Sequence, residues 1–173
     1  ENSSMAPEEW TSEFEIIDPD EEQELALCLI AEYSLKVKYK NRLKKRLEQE
    51  YPNYKAGKVT SHYKDELFRL YPLLQKEKKK ENKMSFSDLL EEGTRLLKMG
   101  KYSRPEWIIV DEVQDSDRSQ LEFLEALKGP ETKIFAVGDP NQVIYSFRGT
   151  TQNMFFLLKN RFQAKELSLP VNY

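Results

Sequence analysis

The chain has 173 residues, of which 39% are hydrophobic, 33% charged and 12% aromatic, with a single cysteine. This is enough for a buried core, too aromatic for a disordered segment and too poor in cysteine for a disulfide framework. With no apolar run of about 18 residues and no signal-peptide pattern, the expectation is a soluble cytoplasmic protein without a membrane partner.

The net charge of −3 averages over opposed blocks. Residues 1–35 hold 11 acids and no Lys or Arg, whereas residues 36–64 hold 10 bases against 2 acids. Such a basic block suits a polyanion, but charge alone favours a solvated, lysine-rich helix face.

Residues 1–12 read as a polar arm with a lone Trp10, and Phe14 to Ile17 as a short extended segment. Asp18-Pro19-Asp20-Glu21 is a helix start, with Asp as N-cap, Pro at the first position and Glu three residues after the cap. The run Leu25 to Ala31 continues it as a mostly buried helix, so Cys28 is expected to be a packed thiol. From Leu35 to Tyr39 a strand-like alternation competes with a four-residue spacing through Leu43 and Leu47. Strong helix formers after Asn41 favour the helix, which Tyr51-Pro52-Asn53 should end. A second helix is expected from about Tyr63, with Pro72 as a kink or break and residues 76–83 as a charged connection. His62, the only histidine, has no companion for a metal site.

After Met84 the pattern changes. An amphipathic helix runs from Phe86 to about Met99 and closes at Gly100. Trp107-Ile108-Ile109-Val110 and Lys133 to Val137 read as parallel strands covered on both faces. Between them Ser116 or Asp117 caps a helix through Leu121, Leu124 and Leu127. A helix near 153–160 and a third strand at Leu167-Ser168-Leu169 complete an α/β layer.

Ligands of such sheets sit beyond the carboxyl ends of the strands. Asp111-Glu112 follows Val110 directly, the layout of an acidic pair that holds Mg²⁺ on nucleotide phosphates and orients a water. A strand end turning into solvent would look the same. The longer strings are more specific: Asp111-Glu112-Val113-Gln114-Asp115, then Gly138-Asp139-Pro140-Asn141-Gln142-Val143-Ile144-Tyr145-Ser146-Phe147-Arg148-Gly149. With Phe14 to Pro19, Ser85 to Leu90 and Leu167 to Tyr173 around them, these resemble the ordered motifs of superfamily 1 DNA helicases of the UvrD, Rep and PcrA type. Val143, Thr150 and Ser87 depart from the usual Ser, Ala and Asp.

The resemblance implies a partial RecA-like P-loop NTPase core with a parallel sheet over residues 85–173. It also implies an inserted, mainly helical, partly basic subdomain over residues 18–84, with 1–17 as arm and lead-in. It implies ATP and Mg²⁺ as cofactors and single-stranded DNA and single-strand/duplex junctions as partners. Asp111 would contact Mg²⁺, Glu112 would activate the hydrolytic water and Gln142 would lie near the γ-phosphate. Gln114, Asp115 and Asp139 would belong to the network joining the two strand-end motifs. Tyr145, Phe147 and Arg148 would line the single-strand channel, and Tyr173 would stack on adenine. Lys36, Lys38, Lys40, Arg42, Lys44, Lys45 and Arg46 fall in the inserted segment, where the family touches DNA.

No glycine supplies the G-x-x-x-x-G-K-[ST] that cradles phosphates; Gly57-Lys58-Val59-Thr60 has the wrong spacing. The expectation is a fragment, inactive alone, of a helicase or translocase moving 3′ to 5′. The P-loop segment and second motor domain, elsewhere in its own chain, would be its partners. Two alternatives stand beside it: a silent DNA-binding or docking module, and a metal-dependent nuclease using Asp111, Asp115 and Asp139.

Overall fold

The structure, a computed structural model, describes residues 9–100, 102–139 and 154–169. It separates into two compact units, residues 1–88 and 89–173, and the division falls within a helix.

In the first unit β1 (Glu15–Ile16) leads into α1 (Pro19–Glu32), followed by α2 (Leu43–Lys55), α3 (Leu67–Lys80) and β2 (Lys83–Met84). The expected cap is present: the Asp18 carboxylate accepts the N–H groups of Asp20 and Glu21, which hold it below the usual carboxylate range. Ala26, Leu29 and Ile30 of α1 pack with Leu43, Leu67, Leu70, Tyr71 and Leu74 in one core. Cys28 lies on the opposite side of that stripe and is exposed, contrary to the expected packed thiol. β1 pairs in parallel with β2, Glu15 beside Lys83 and Ile16 beside Met84. The arm is fastened too, as Trp10 Nε1 donates to the Lys83 carbonyl at 3.0 Å.

Three helical expectations are corrected here. Residues 35–39 are not helical; Leu35 and Val37 are buried while Lys36 and Lys38 are exposed, so the strand-like alternation wins. Pro52 does not end α2, and Pro72 does not break α3, which also takes in most of the expected charged connection. Both prolines face solvent, where a carbonyl robbed of its N–H partner can bind water. Tyr54 and Tyr51 stack near Tyr71, with centroids 4.7 and 5.5 Å apart, which holds the last turn of α2 on α3.

Two buried ion clusters organise this unit. Lys78 Nζ lies 2.5 Å from both Glu22 and Asp88, and Asp88 also accepts from Gln75 and from Ser85, whose hydroxyl and N–H cap the next helix. Arg46 pairs with Glu50 at 2.9 Å and Asp65 at 2.8 Å. Burial pushes the Asp65 carboxyl up, but hydrogen bonds from Arg46, Ser61 and the N–H groups of Lys38 and Leu67 outweigh it and hold it far below the usual range. Arg46 is thereby removed from the set of bases available to a polyanion.

The helix that crosses the division is α4 (Phe86–Lys98), and Gly100 follows it at φ +73°, as its position after the last turn predicts. In the second unit β3 (Trp107–Val110) and β4 (Lys133–Ala136) pair in parallel, Ile108 beside Ile134 and Val110 beside Ala136. Between them α5 (Arg118–Leu127) starts with a capping box formed by Asp117 and Gln120. Val113 and Leu121 pack with Met154 and Leu158 of α6 (Met154–Phe162). Among the described residues nothing covers one face of the strand pair, contrary to the reading of strands covered on both sides: Ile109 is 74% exposed and Phe135 54%. Leu167 to Leu169 form no strand and are exposed, which corrects the expected third one. No helix among the described residues is long and apolar enough to cross a membrane.

Candidate functional site

The acidic pair owes its position to a pinch in the backbone at the end of β3. Val137 N–H donates to the Val110 carbonyl at 2.8 Å, and the Val137 carbonyl accepts Val113 N–H at 3.0 Å. One residue beyond β4 thus bonds both sides of Asp111-Glu112, and the two acids are forced out of the ladder. Closing that loop puts Glu112 at φ +47°, a left-handed conformation that a non-glycine residue adopts only under constraint. A 3-10 turn, Val113–Asp115, follows at once and turns the chain toward α5.

Both acids are exposed, and Asp111 Oδ1 accepts Glu112 N–H at 2.9 Å. Val113 and Gln114 turn inward and are buried. The Gln114 carboxamide makes two bonds of opposite sense: Nε2 donates to Glu112 Oε2 at 2.6 Å, and Oε1 accepts Asp139 N–H at 3.1 Å. It thus joins the acidic pair to the backbone beyond β4. Asp115 is exposed at the end of the turn, and its N–H donates to the Glu112 carbonyl at 2.9 Å.

Gly138 makes this junction possible; it stands first in the second motif string, but the sequence reading gives it no role. A Cβ there would lie 2.3 Å from Gln114 Oε1 and 3.0 Å from both Phe155 Cζ and Val113 Cγ1. The available signal was a glycine directly after an apolar run and before an acid. Of the other expected site residues, Gln142, Tyr145, Phe147, Arg148 and Tyr173 lie outside the described residues. Among the described residues no three His, Cys, Asp or Glu side chains gather as a metal-holding group. Asp111, Asp115 and Asp139 therefore do not form the cluster that the nuclease alternative requires.

A parallel strand pair joined through a helix, with an exposed acidic pair at its carboxyl end wired to the neighbouring strand, puts this unit in the α/β class, whose ligand sites lie beyond the strand ends. The chain belongs to the UvrD/REP helicase N-terminal domain family, which it matches over residues 2–163. It is 40% identical over 99 residues to a "Probable DNA helicase" of Mycoplasma pneumoniae, covering 53% of this chain and 19% of that protein. It is 37% identical over 101 residues to the ATP-dependent DNA helicase Rep of Buchnera aphidicola subsp. Acyrthosiphon pisum, covering 54% and 16%. To the ATP-dependent DNA helicase Rep of Escherichia coli it is 36% identical over 99 residues, covering 53% and 15%. The matched stretch thus spans less than a fifth of each of these relatives.

Proposed function

We propose that this chain is part of an ATP-driven DNA helicase or translocase that moves 3′ to 5′ on single-stranded DNA. The observation that carries the reading is the Gln114 carboxamide, bonded at one end to Glu112 and at the other to the Asp139 amide. Such a bond pair gives the segment after Asp139, which includes Gln142, a direct mechanical connection to the residue that activates water.

Asp111 is an exposed oxygen donor, which suits Mg²⁺, an ion held by one or two carboxylates together with phosphate oxygens and water. When bound, that ion neutralises charge on the phosphates of ATP. Glu112 then orients and deprotonates the attacking water, with Gln114 fixing its carboxylate. Gln142 senses the γ-phosphate, and Tyr173 stacks on adenine. Tyr145, Phe147 and Arg148 hold the single strand, and the exposed lysines of residues 36–45 meet phosphates near a single-strand/duplex junction. Taken alone, this stretch has no phosphate-cradling G-x-x-x-x-G-K-[ST] and hydrolyses no ATP above background.

The test is ATP hydrolysis by the longer polypeptide that carries this segment, with and without single-stranded DNA, beside Glu112→Gln. Hydrolysis stimulated by DNA and abolished in the variant is the expected result. A well-folded polypeptide with no stimulated hydrolysis, or a Glu112→Gln variant as fast as its parent, overturns the reading.

A further inference from the structure

The extended segment after α1 is fastened by two acids of the turn before α3. Lys36 N–H donates to Glu66 at 2.8 Å, and Lys38 N–H to Asp65 at 2.7 Å. Leu35 and Val37 are turned inward by this, and Lys36, Lys38 and Lys40 outward. Together with Lys64 these lysines border a groove of about 880 Å³, whose lining also takes in Asp65 and Glu66, the acids already bonded to the Lys38 and Lys36 N–H groups.

Tyr39 stands in the middle of that basic row. It is 57% exposed, and its backbone is left-handed, at φ +50°. An aromatic residue gains nothing from that conformation by itself, and a glycine would adopt it without strain. Its ring is nevertheless held, 5.1 Å from that of Tyr63, which is 39% exposed. Tyr63 in turn has the Arg46 guanidinium 4.6 Å from its ring centre and the His62 ring edge-on at 5.0 Å. Arg46 cannot drift, because Glu50 and Asp65 fix it from two sides. Tyr63 is thus held against a buried ion cluster and Tyr39 against Tyr63, beside the exposed lysines 36, 38 and 40.

We propose that Tyr39 and Tyr63 form a stacking platform for unpaired bases of single-stranded DNA, with Lys36, Lys38 and Lys40 meeting the phosphates on either side. The choice of DNA rests on the function proposed above. The choice of a single strand comes from the surface itself: exposed rings need free base faces, which a duplex hides, and lysines alone would have served for a backbone. Rings already held in place have less side-chain freedom to lose on binding.

The experiment is anisotropy titration of the 173-residue chain, without nucleotide, against labelled oligothymidylate, an abasic strand of equal length and a blunt duplex. Tyr39→Gly is the main variant because glycine accepts the backbone conformation at this position. It should weaken oligothymidylate binding roughly tenfold, leave abasic-strand binding unchanged and keep the parent's salt slope. Tyr39→Phe should bind as the parent does. Lys36→Ala with Lys40→Ala should instead lower the salt slope, by about 0.7 for each phosphate that is no longer neutralised. Three outcomes overturn the proposal: unchanged oligothymidylate binding by Tyr39→Gly, equal losses on oligothymidylate and the abasic strand, or tighter binding of the blunt duplex than of oligothymidylate by the parent. None of these bears on ATP hydrolysis, so platform and motor can fail separately.

Discussion

Adding one methyl group at Gly138 should cost more than its size suggests. The new Cβ would sit 2.3 Å from Gln114 Oε1, where ordinary contact begins near 3.4 Å, so the oxygen must retreat by about 1 Å. Val113, the second neighbour, is fully buried and cannot yield easily. A retreat of that size breaks the 3.1 Å bond to Asp139 N–H and skews the 2.6 Å bond to Glu112. Overpacking costs about 1–3 kcal/mol, and losing the bond to the part-buried Asp139 N–H costs about 1 kcal/mol more. Gly138→Ala should therefore lose about 2–4 kcal/mol in urea unfolding followed by a probe in the second unit. In a Gln114→Ala background the oxygen is gone and only the contacts to Phe155 and Val113 remain. The same substitution should then cost less by at least about 1 kcal/mol. A Gly138→Ala loss under about 0.5 kcal/mol, or an equal loss in both backgrounds, would refute the packing argument.

Lys78→Met should destabilise the first unit by about 3–5 kcal/mol, because it strands the buried Asp88 carboxylate. Glu22→Gln, at the more exposed end of the same cluster, should cost under about 1 kcal/mol; equal costs in denaturant titrations would mean that burial does not decide. Asp65 titrates far below its ordinary range in the folded chain, so its contribution is complete above the unfolded value near 3.9 and is lost as pH falls below it. Asp65→Asn should therefore flatten the loss of stability below about pH 4, and matching acid limbs for variant and parent would contradict the ion-pair account. The open strand face around Ile109 and Phe135 should make the 173-residue chain self-associate, and Ile109→Lys should lower its apparent mass in sedimentation at equal concentration. No change on that substitution would mean that the face is not sticky.

What the sequence revealed was local. The caps at Asp18 and Asp117 act within one turn, and so both were readable from spacing alone. The parallel pairing of β3 and β4 was readable because apolar runs of that length separated by a helix have few other solutions. The segment 35–39 went the other way because its N–H groups find Asp65 and Glu66, partners 27 and 30 residues ahead that no window of periodicity contains. The α2 helix likewise outlasts Pro52 through a tyrosine cluster shared with α3. The Arg46–Glu50 pair stood in the sequence at helical spacing, yet its burial depends on Asp65, 19 residues on. The open face of the strand pair was illegible for a different reason: an apolar run records what a residue tolerates, and not which of the described elements pack on it.

At the acidic pair itself, the residue types follow from the geometry that surrounds them. Because Val137 bonds both Val110 and Val113, two residues must leave the ladder, and they can carry full charges since they emerge into solvent. The next two must come back under the strand end, where a charge would be costly, so Val113 and Gln114 are uncharged. Position 114 faces a carboxylate oxygen on one side and a backbone N–H on the other. A carboxamide offers a donor to the first and an acceptor to the second from two separate atoms of one plane. Glutamate there would oppose Glu112, and leucine would leave the Asp139 N–H without its acceptor. The glycine at 138 is the remaining requirement, since any larger residue takes the space the amide oxygen needs. Acid pair, amide and glycine are therefore one mechanical unit, and a shift of the backbone at Asp139 cannot occur without a pull on the Glu112 carboxylate.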